Sequence, residues 1–278
     1  MKLLNGSDLA GFIKERQAHQ VRALRQAHQV FPKLAIVMTD LDNQVIDTYV
    51  RMKQRYGADI LIDVDIHRVE QAKVRDLLKD LASDDTVHAI IVQLPLADMS
   101  EAEEILDLVP DHKDVDGLGK NPAYDPATAM AIMWLLTGYN IELKGKDVVL
   151  VGYGKLVGAP LEKLMISSGI TPRIVDKNTP DVPGEVYKAD VIVSATGVAG
   201  LIKSDMVKQG AVVVDAGVAS EGGKTVGDAA PELYERDDLT ITPTKGGVGP
   251  LTVCALFDNV IRAATAVAEA KQKSTQKV

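Results

Sequence analysis

Cysteine is nearly absent from this chain. The single one, Cys254, excludes an intrachain disulfide framework, and the five histidines fall at no spacing that would assemble a metal site. Positive charge is also in deficit: 31 Lys and Arg against 39 Asp and Glu leave a net charge of -8 and a pI near 5.2. That balance argues against a general nucleic-acid or anionic-membrane surface, which needs clustered basic side chains. No apolar run approaches the roughly 18 residues of a membrane span, and the opening "MKLLNGSDLAGFIKERQ" has too short an apolar stretch for a signal peptide. The expectation is a cytoplasmic protein with no metal, no nucleic-acid partner and no membrane partner.

What is present is ordinary for a folded protein, with 46% hydrophobic and 25% charged residues. At 278 residues the chain exceeds the usual size of one core, so two domains are expected. Apolar periodicity predicts a helix over 8–28, a strand "KLAIVM" at 33–38, then the helix that carries Tyr49 and Lys53, a strand "DILIDVD" at 59–65 and a helix over 67–82. A strand "AIIVQL" at 89–94 and a helix at 100–107 complete the first half. The loop "DHKDVDGLGKNPAYDP", 111–126, is dense in Asp, Gly and Pro and is the best candidate for a domain junction. After a helix over 127–138 the rhythm restarts with strands "DVVLVG", "PRIVD", "DVIVSATG", "GAVVVDAG" and "LTITP", a helix at 157–168 and a last helix over 251–271. Only the tail "KQKSTQKV" reads as disordered. Strands separated by helices imply parallel sheets and an α/β fold.

The second half carries the clearest chemical signal. In "VVLVGYGKLVGAP" an apolar strand runs into a glycine loop and then a helix, where backbone N–H groups and a helix N-terminus can cradle a phosphate. Gly152, Gly154 and Gly158 are spaced G-x-G-x-x-x-G, one residue longer than the usual dinucleotide fingerprint, so a plain tight turn competes with the ligand reading. Two further strands end in "SATG" (Thr196, Gly197) and "DAG" (Gly217), small residues that leave room for a dinucleotide. Asp176 ends the second strand of this half, where an acidic residue would bond the adenosine ribose, although a simple turn role competes there too.

In the first half, Tyr49 and Lys53 stand at i and i+4 and therefore share one helical face. By itself the pair reads as a surface ring with a snorkelling lysine. Taken alone, Gln93 reads as a strand-end cap and Asp116 as a turn former in "DVDG".

The order of motifs changes that weighting. "YVRMK" (49–53), "VQLPL" (92–96), "KDVDG" (113–117), the V-G-x-P of "KLVGAP" (157–160), "VVVDAG" (212–217), "GD" (227–228) and "PTKGGVGPLT" (243–252) follow one another along nearly the whole chain. In this the chain resembles the bifunctional methylenetetrahydrofolate dehydrogenase/cyclohydrolase family. The resemblance implies a folate-binding catalytic domain, 1–118, completed by a C-terminal helix returning in 253–278, a Rossmann-type parallel-sheet domain at 119–252, and a homodimer.

It also implies the chemistry. Methylenetetrahydrofolate is oxidised with NAD or NADP, and the methenyl product is hydrolysed to formyltetrahydrofolate. Lys53 becomes the catalytic amine and Tyr49 the ring that stacks on the folate. Gln93, with Leu94 and Pro95 of the same motif, lines the substrate; Asp116 holds the pterin, and Gly249 and Pro250 touch the folate. Gly152, Tyr153, Gly154, Val157, Gly158, Asp176, Thr196, Gly197, Gly217 and Val218 fall to the dinucleotide. Hydride loss leaves a cationic methenyl group, so Lys53 is expected to work as a neutral amine, its pKa lowered by burial.

The chain departs from the family pattern at four places. Ile46 stands where a serine is usual, and "DPATA" (125–129) where C-T-P is usual. Thr244-Lys245-Gly246-Gly247 replaces V-P-G-G, and Gly152-Tyr153-Gly154 replaces G-R-S. The last removes an arginine that would favour a 2′-phosphate, and with Asp176 it points to NAD rather than NADP, with Lys177 pulling the other way. The competing readings are a Rossmann dehydrogenase for another small substrate and a folate-binding protein without catalysis.

Overall fold

The structure, a computed structural model, describes residues 1–39, 44–221 and 224–275. In chain order the elements of its first half are β1 (Lys2–Leu3), α1 (Gly6–Ala27), β2 (Lys33–Thr39), α2 (Gln44–Asp59), β3 (Asp63–Val69), α3 (Gln71–Ser83), β4 (Ala89–Val92), α4 (Ala102–Leu106) and α5 (Ala127–Gly138). Those of the second are β5 (Val148–Val151), α6 (Gly158–Ser167), β6 (Arg173–Val175), α7 (Val182–Lys188), β7 (Val191–Ser194), β8 (Val212–Asp215), β9 (Ala219–Glu221), β10 (Lys224–Val226), β11 (Thr240–Ile241) and α8 (Val248–Thr275). They form two compact units: one is Met1–Gly11 with Thr128–Thr252, the other Phe12–Ala127 with the chain from Val253 on.

The first unit is built on a six-stranded sheet in the order β1-β11-β8-β7-β5-β6, parallel throughout. "VVLV" of β5 and "VIVS" of β7 are buried at every position, as expected of strands covered on both faces. Val149, Val151, Ile192, Val213 and Leu239 form the centre of one core. The chain leaves β5 for β6 on one side and then crosses to β7 on the other. The order therefore reverses at the carboxyl ends of β5 and β7, where an open α/β sheet offers its crevice. A small antiparallel pair, β9 with β10, stands apart from this sheet.

The second unit holds a parallel sheet in the order β3-β2-β4. Val74, Leu78 and Leu81 of α3 pack on Ala35 and Val37 of β2 and on Ile90 and Val92 of β4. From Val253 onward α8 supplies Phe257, Val260 and Ala264, none of them exposed; full burial of a phenylalanine side chain is worth roughly 1.5–3 kcal/mol. By length and composition α8 could cross a membrane, and two thirds of its most apolar window is buried within the protein. The expectation that no segment approaches a span thus needs amending: alanines and small polar residues let a core helix pass the same test.

Three other boundaries differ from expectation. The apolar run at 60–62 ends a helix instead of starting a strand: Ile60 and Ile62 N–H both donate to Gly57 O, and Leu61 takes a left-handed φ of 64°. The strand is β3, which pairs residue for residue along the whole of β2, Lys33 with Asp63 through Thr39 with Val69. Residues 67–69 are therefore strand, not helix. At the other end α8 continues through Thr275, so the tail read as disordered is helical up to there, and 276–278 lie outside the described residues.

Candidate active site

Strand β4 ends at Val92, and the next residue, Gln93, continues the ladder by donating its N–H to Val37 O at 2.8 Å. Its side-chain Nε2 donates to Leu94 O at 2.8 Å, which turns Oε1 the other way. Lys53 Nζ donates to that Oε1 at 2.8 Å. The Leu94–Pro95 bond that follows is cis. Tyr49, one turn before Lys53 on α2, leaves 36% of its surface open, so its ring is available to a ligand on the face that carries the amine.

Asp116, on the loop "KDVDG", lies near enough to act on the same amine electrostatically, and its neighbours shape that loop. Lys113 Nζ donates to the carbonyls of Leu81, Ala82 and Asp84 at 3.1, 2.9 and 2.9 Å, covering the end of α3. Asp114 accepts Gly117 N–H at 3.0 Å and Gly119 N–H at 2.8 Å, closing the turn around Asp116. Gly117 has φ +70°, and a Cβ there would lie 2.7 Å from Tyr124 O. From α8 the fully buried Asn259 donates to Val115 O at 2.9 Å and Asp125 O at 3.0 Å. An Asn259→Ala variant is expected to lose about 2–3 kcal/mol of stability, since two buried carbonyls lose their donor. Chemical denaturation checks this, and an unchanged midpoint would count against the brace.

Electrostatics follow from the crowding. Burial holds the Lys53 amine below the usual lysine range, and the nearby Asp116 carboxylate offsets part of that shift. Burial likewise lifts Asp116 above the usual carboxylate range, with Lys53 opposing. Both side chains keep some solvent contact. The result is an amine able to lose its proton nearer neutrality, held by an amide acceptor and facing a carboxyl group.

Behind this face lies a polar brace that sequence reasoning missed. Tyr56 donates its hydroxyl to Gln17 Oε1 at 2.7 Å, with Cys254 Sγ 3.2 Å away and its ring 4.9 Å from that of Phe257. Gln17, fully buried, donates to Cys254 O at 2.8 Å. Tyr56 stands three residues after Lys53, which hints at a shared helical side, but its partners on α1 and α8 carry no signal in the sequence. Ile46, where a serine was noted as usual, is buried and apolar.

The other unit gathers the residues assigned to a dinucleotide. Gly152 leaves β5 with φ +95°, where a Cβ would come 2.8 Å from Ala195 O; a Cβ on Gly158 would lie 2.2 Å from Gly152 O. The backbone is thus drawn in at the start of α6, and Val157 precedes that helix. Such a cradle fits a pyrophosphate. Thr196 and Gly197 follow β7, and Gly217 and Val218 follow β8. Tyr153 and Leu156 after β5, Val198 after β7 and Val218 after β8 are all about half exposed, apolar side chains open to a ligand's flat rings. Gly154 has open space around it.

Two details bear on selectivity. Asp176 stands just past β6, but its carboxylate accepts Asn178 N–H at 2.9 Å and Asn178 Nδ2 at 3.1 Å, a local turn. Tyr153 donates its hydroxyl to Glu162 Oε2 at 2.5 Å, placing a second carboxylate beside the glycine loop. Gly249 and Pro250 open α8 in this same unit. Among the described residues no group of three or more His, Cys, Asp or Glu is arranged to hold a metal ion.

Comparison with known proteins identifies the family of both units. Residues 4–116 match the model of the tetrahydrofolate dehydrogenase/cyclohydrolase catalytic domain, and residues 126–268 that of the tetrahydrofolate dehydrogenase/cyclohydrolase NAD(P)-binding domain. The bifunctional protein FolD of Hydrogenobaculum sp. is 38% identical, over 95% of this chain and 98% of the relative. A crystal structure of the FolD methylenetetrahydrofolate dehydrogenase/cyclohydrolase from Campylobacter jejuni superposes with a TM-score of 0.89 at 33% identity, covering 96% of this chain and 99% of that one. The FolD of Trypanosoma brucei, solved with NADP and an inhibitor, gives 0.88 at 28% identity over 95% and 97%.

Proposed function

This chain belongs to the tetrahydrofolate dehydrogenase/cyclohydrolase family, and on that premise we propose how its residues divide the work. It is a bifunctional enzyme of one-carbon folate metabolism, oxidising methylenetetrahydrofolate with NAD(P) and hydrolysing the methenyl product to formyltetrahydrofolate. We assign folate chemistry to the unit of 12–127 with 253–278 and dinucleotide binding to that of 1–11 with 128–252, in a cytoplasmic homodimer. The boundary differs from the expected 1–118 and 119–252 because β1 pairs with β11 in the six-stranded sheet and the loop through 127 stays with the other unit.

The observation that carries the assignment is the 2.8 Å bond from Lys53 to Gln93 in a crowded recess shared with Asp116. The bound nicotinamide supplies the hydride acceptor. During oxidation Lys53 stays neutral, since an ammonium beside the developing methenyl cation would be repelled. In hydrolysis, water adds to the methenyl carbon and gives one proton to Lys53. The carbinol proton then moves to the departing ring nitrogen as the carbon–nitrogen bond breaks, leaving the formyl group. Gln93 aims the amine, and Asp116 accepts from the pterin amino and ring N–H donors. Tyr49 stacks on the folate, Leu94 and Pro95 wall its pocket, and Gly249 and Pro250 contact it.

On the same reading Gly152, Tyr153, Gly154, Val157 and Gly158 take the pyrophosphate side of the dinucleotide, and Thr196, Gly197, Gly217 and Val218 its nicotinamide side. The preferred cofactor is NAD. Support comes from Asp176 just past β6, from the carboxylate of Glu162 beside the glycine loop, and from Tyr153 in place of a phosphate-binding arginine. The turn made by Asp176 and the exposed Lys177 weigh against it, as does NADP in the trypanosomal relative. Assaying both half-reactions with both cofactors tests the whole reading. The expected kcat/KM ratio favours NAD by about tenfold, near 1.4 kcal/mol, and Asp176→Ser narrows it. A wild-type preference for NADP that Asp176→Ser leaves unchanged would remove Asp176 from cofactor selection.

A further inference from the structure

The "GD" pair at 227–228 has no part in the chemistry so far, yet Asp228 is fully buried at the carboxyl edge of the six-stranded sheet. Its Oδ2 accepts Ser194 Oγ at 2.6 Å and Thr196 N–H at 2.7 Å, holding the end of β7. Its own N–H donates to Asp215 Oδ1 at 3.0 Å. Asp215, at the end of β8, also accepts Gly217 N–H at 2.9 Å and Ala229 N–H at 2.9 Å. Two carboxylates thus reinforce three loops that are also linked by the backbone bonds of Gly200 N–H to Gly227 O and Ile202 N–H to Asp228 O.

We infer that Asp228 is a positioning residue for the dinucleotide: through Asp215 and its own two accepted bonds it fixes Thr196, Gly197, Gly217 and Val218 as one rigid floor. Two further observations separate this from ordinary packing. Asp228 Oδ1 is buried and has no hydrogen-bond partner among the described residues. Fold stability alone does not favour a buried carboxylate with one oxygen unsatisfied, because its desolvation is uncompensated. What the charge adds is strength in the N–H bond to Thr196, since hydrogen bonds to ionised acceptors are about twice as strong as neutral ones. The same Oδ1 would lie 1.9 Å from a Cβ placed on Gly217. The carboxylate therefore also enforces the absence of a side chain at the end of β8, where a flat ring needs space.

This inference rests on the reading that the Rossmann unit takes the dinucleotide. Asp228→Ala and Asp228→Asn are compared with wild type for dinucleotide Kd, dehydrogenase KM and kcat, cyclohydrolase kcat/KM with no dinucleotide added, and Tm. The expected result for alanine is a dinucleotide Kd raised about 10- to 100-fold, the worth of lost bonds to a charged acceptor. Cyclohydrolase activity, which needs no hydride acceptor, stays within about twofold under the same hydrogen-bond argument. Asparagine keeps an oxygen in place without the charge, so its Kd rises less than that of alanine but measurably, about three- to fivefold. Should the alanine variant fail to fold, the isosteric asparagine variant decides alone: a raised Kd with unchanged hydrolysis supports the role. A Kd unaltered in either folded variant, or parallel losses in both activities with a lowered Tm, overturns it. Wild type that binds neither NAD nor NADP would instead overturn the underlying reading of the unit.

Discussion

Lys53→Met abolishes methenyl hydrolysis, by about 100- to 10,000-fold, the range for removing a positioned general base, and leaves the fold and dinucleotide binding in place. Methionine matches the lysine stem out to Cε and loses the amine itself, with its bond to Gln93 Oε1, its attraction to Asp116 and the proton acceptor. Little stability is at stake, because burial already disfavours the charged lysine. The sign can be followed with pH. With the folded pKa below 10.5, the unfolded chain binds more protons between the two values, and stability rises with pH across that window. The methionine variant lacks this slope. Catalysis runs the same way: wild-type hydrolysis climbs as pH rises through the lowered pKa and the amine becomes neutral. Stopped-flow hydrolysis of methenyltetrahydrofolate across pH measures both features. Undiminished hydrolysis in Lys53→Met would end the assignment of this amine.

The second large effect is expected at Asp116. Asp116→Ala weakens folate binding about 10- to 100-fold, since the pterin donors then enter a recess with no acceptor. Dinucleotide affinity stays within about twofold, because the turn is closed by Asp114, not Asp116. Removing the carboxylate has a further consequence. Asp116 raises the Lys53 pKa against the stronger pull of burial, so without it the pKa falls further. The alkaline-rising limb of residual hydrolysis moves to lower pH in Asp116→Ala. Equilibrium titration of both ligands and the pH profile check these outcomes together; equal losses for folate and dinucleotide, or a limb that moves upward, would contradict them.

Much of this arrangement is legible in the order of residues. Short runs rich in β-branched residues such as "VVLV" and "VIVS", bounded by turn residues, read as covered strands, and the helical patterns between them imply parallel crossovers. The glycine loop after β5 is readable because only glycine tolerates the backbone at Gly152 and the close approach at Gly158. The i, i+4 spacing of Tyr49 and Lys53 is fixed by helix geometry alone. In each case the information is local: neighbouring residues constrain one another through backbone sterics or periodicity. Local reading failed at residues 60–62, where three apolar side chains fit a strand and a helix end equally well. Pairing along β2 decided between them, and pairing is a contact over long sequence separation.

The chemistry of the site belongs to the tertiary structure. Lys53, Gln93 and Asp116 lie on a helix, a strand end and a loop, and only folding brings an amine, an amide and a carboxyl into one desolvated recess. The lowered pKa of Lys53 exists because other segments remove water from around it, which no spacing in the chain encodes. Asn259 and Tyr56 likewise look like unremarkable helical residues until their partners arrive from elsewhere in the chain. Asp176 is the converse case: its place at a strand end was visible beforehand, but the structure shows its carboxylate engaged by Asn178. By itself the sequence determined the α/β architecture, the glycine loop and the order of motifs that the chain shares with its family, because each rests on local geometry or on residue order. Tertiary structure alone decided which side chains are desolvated, which are braced and which carboxylates are free, because those properties depend on neighbours that are remote in the chain.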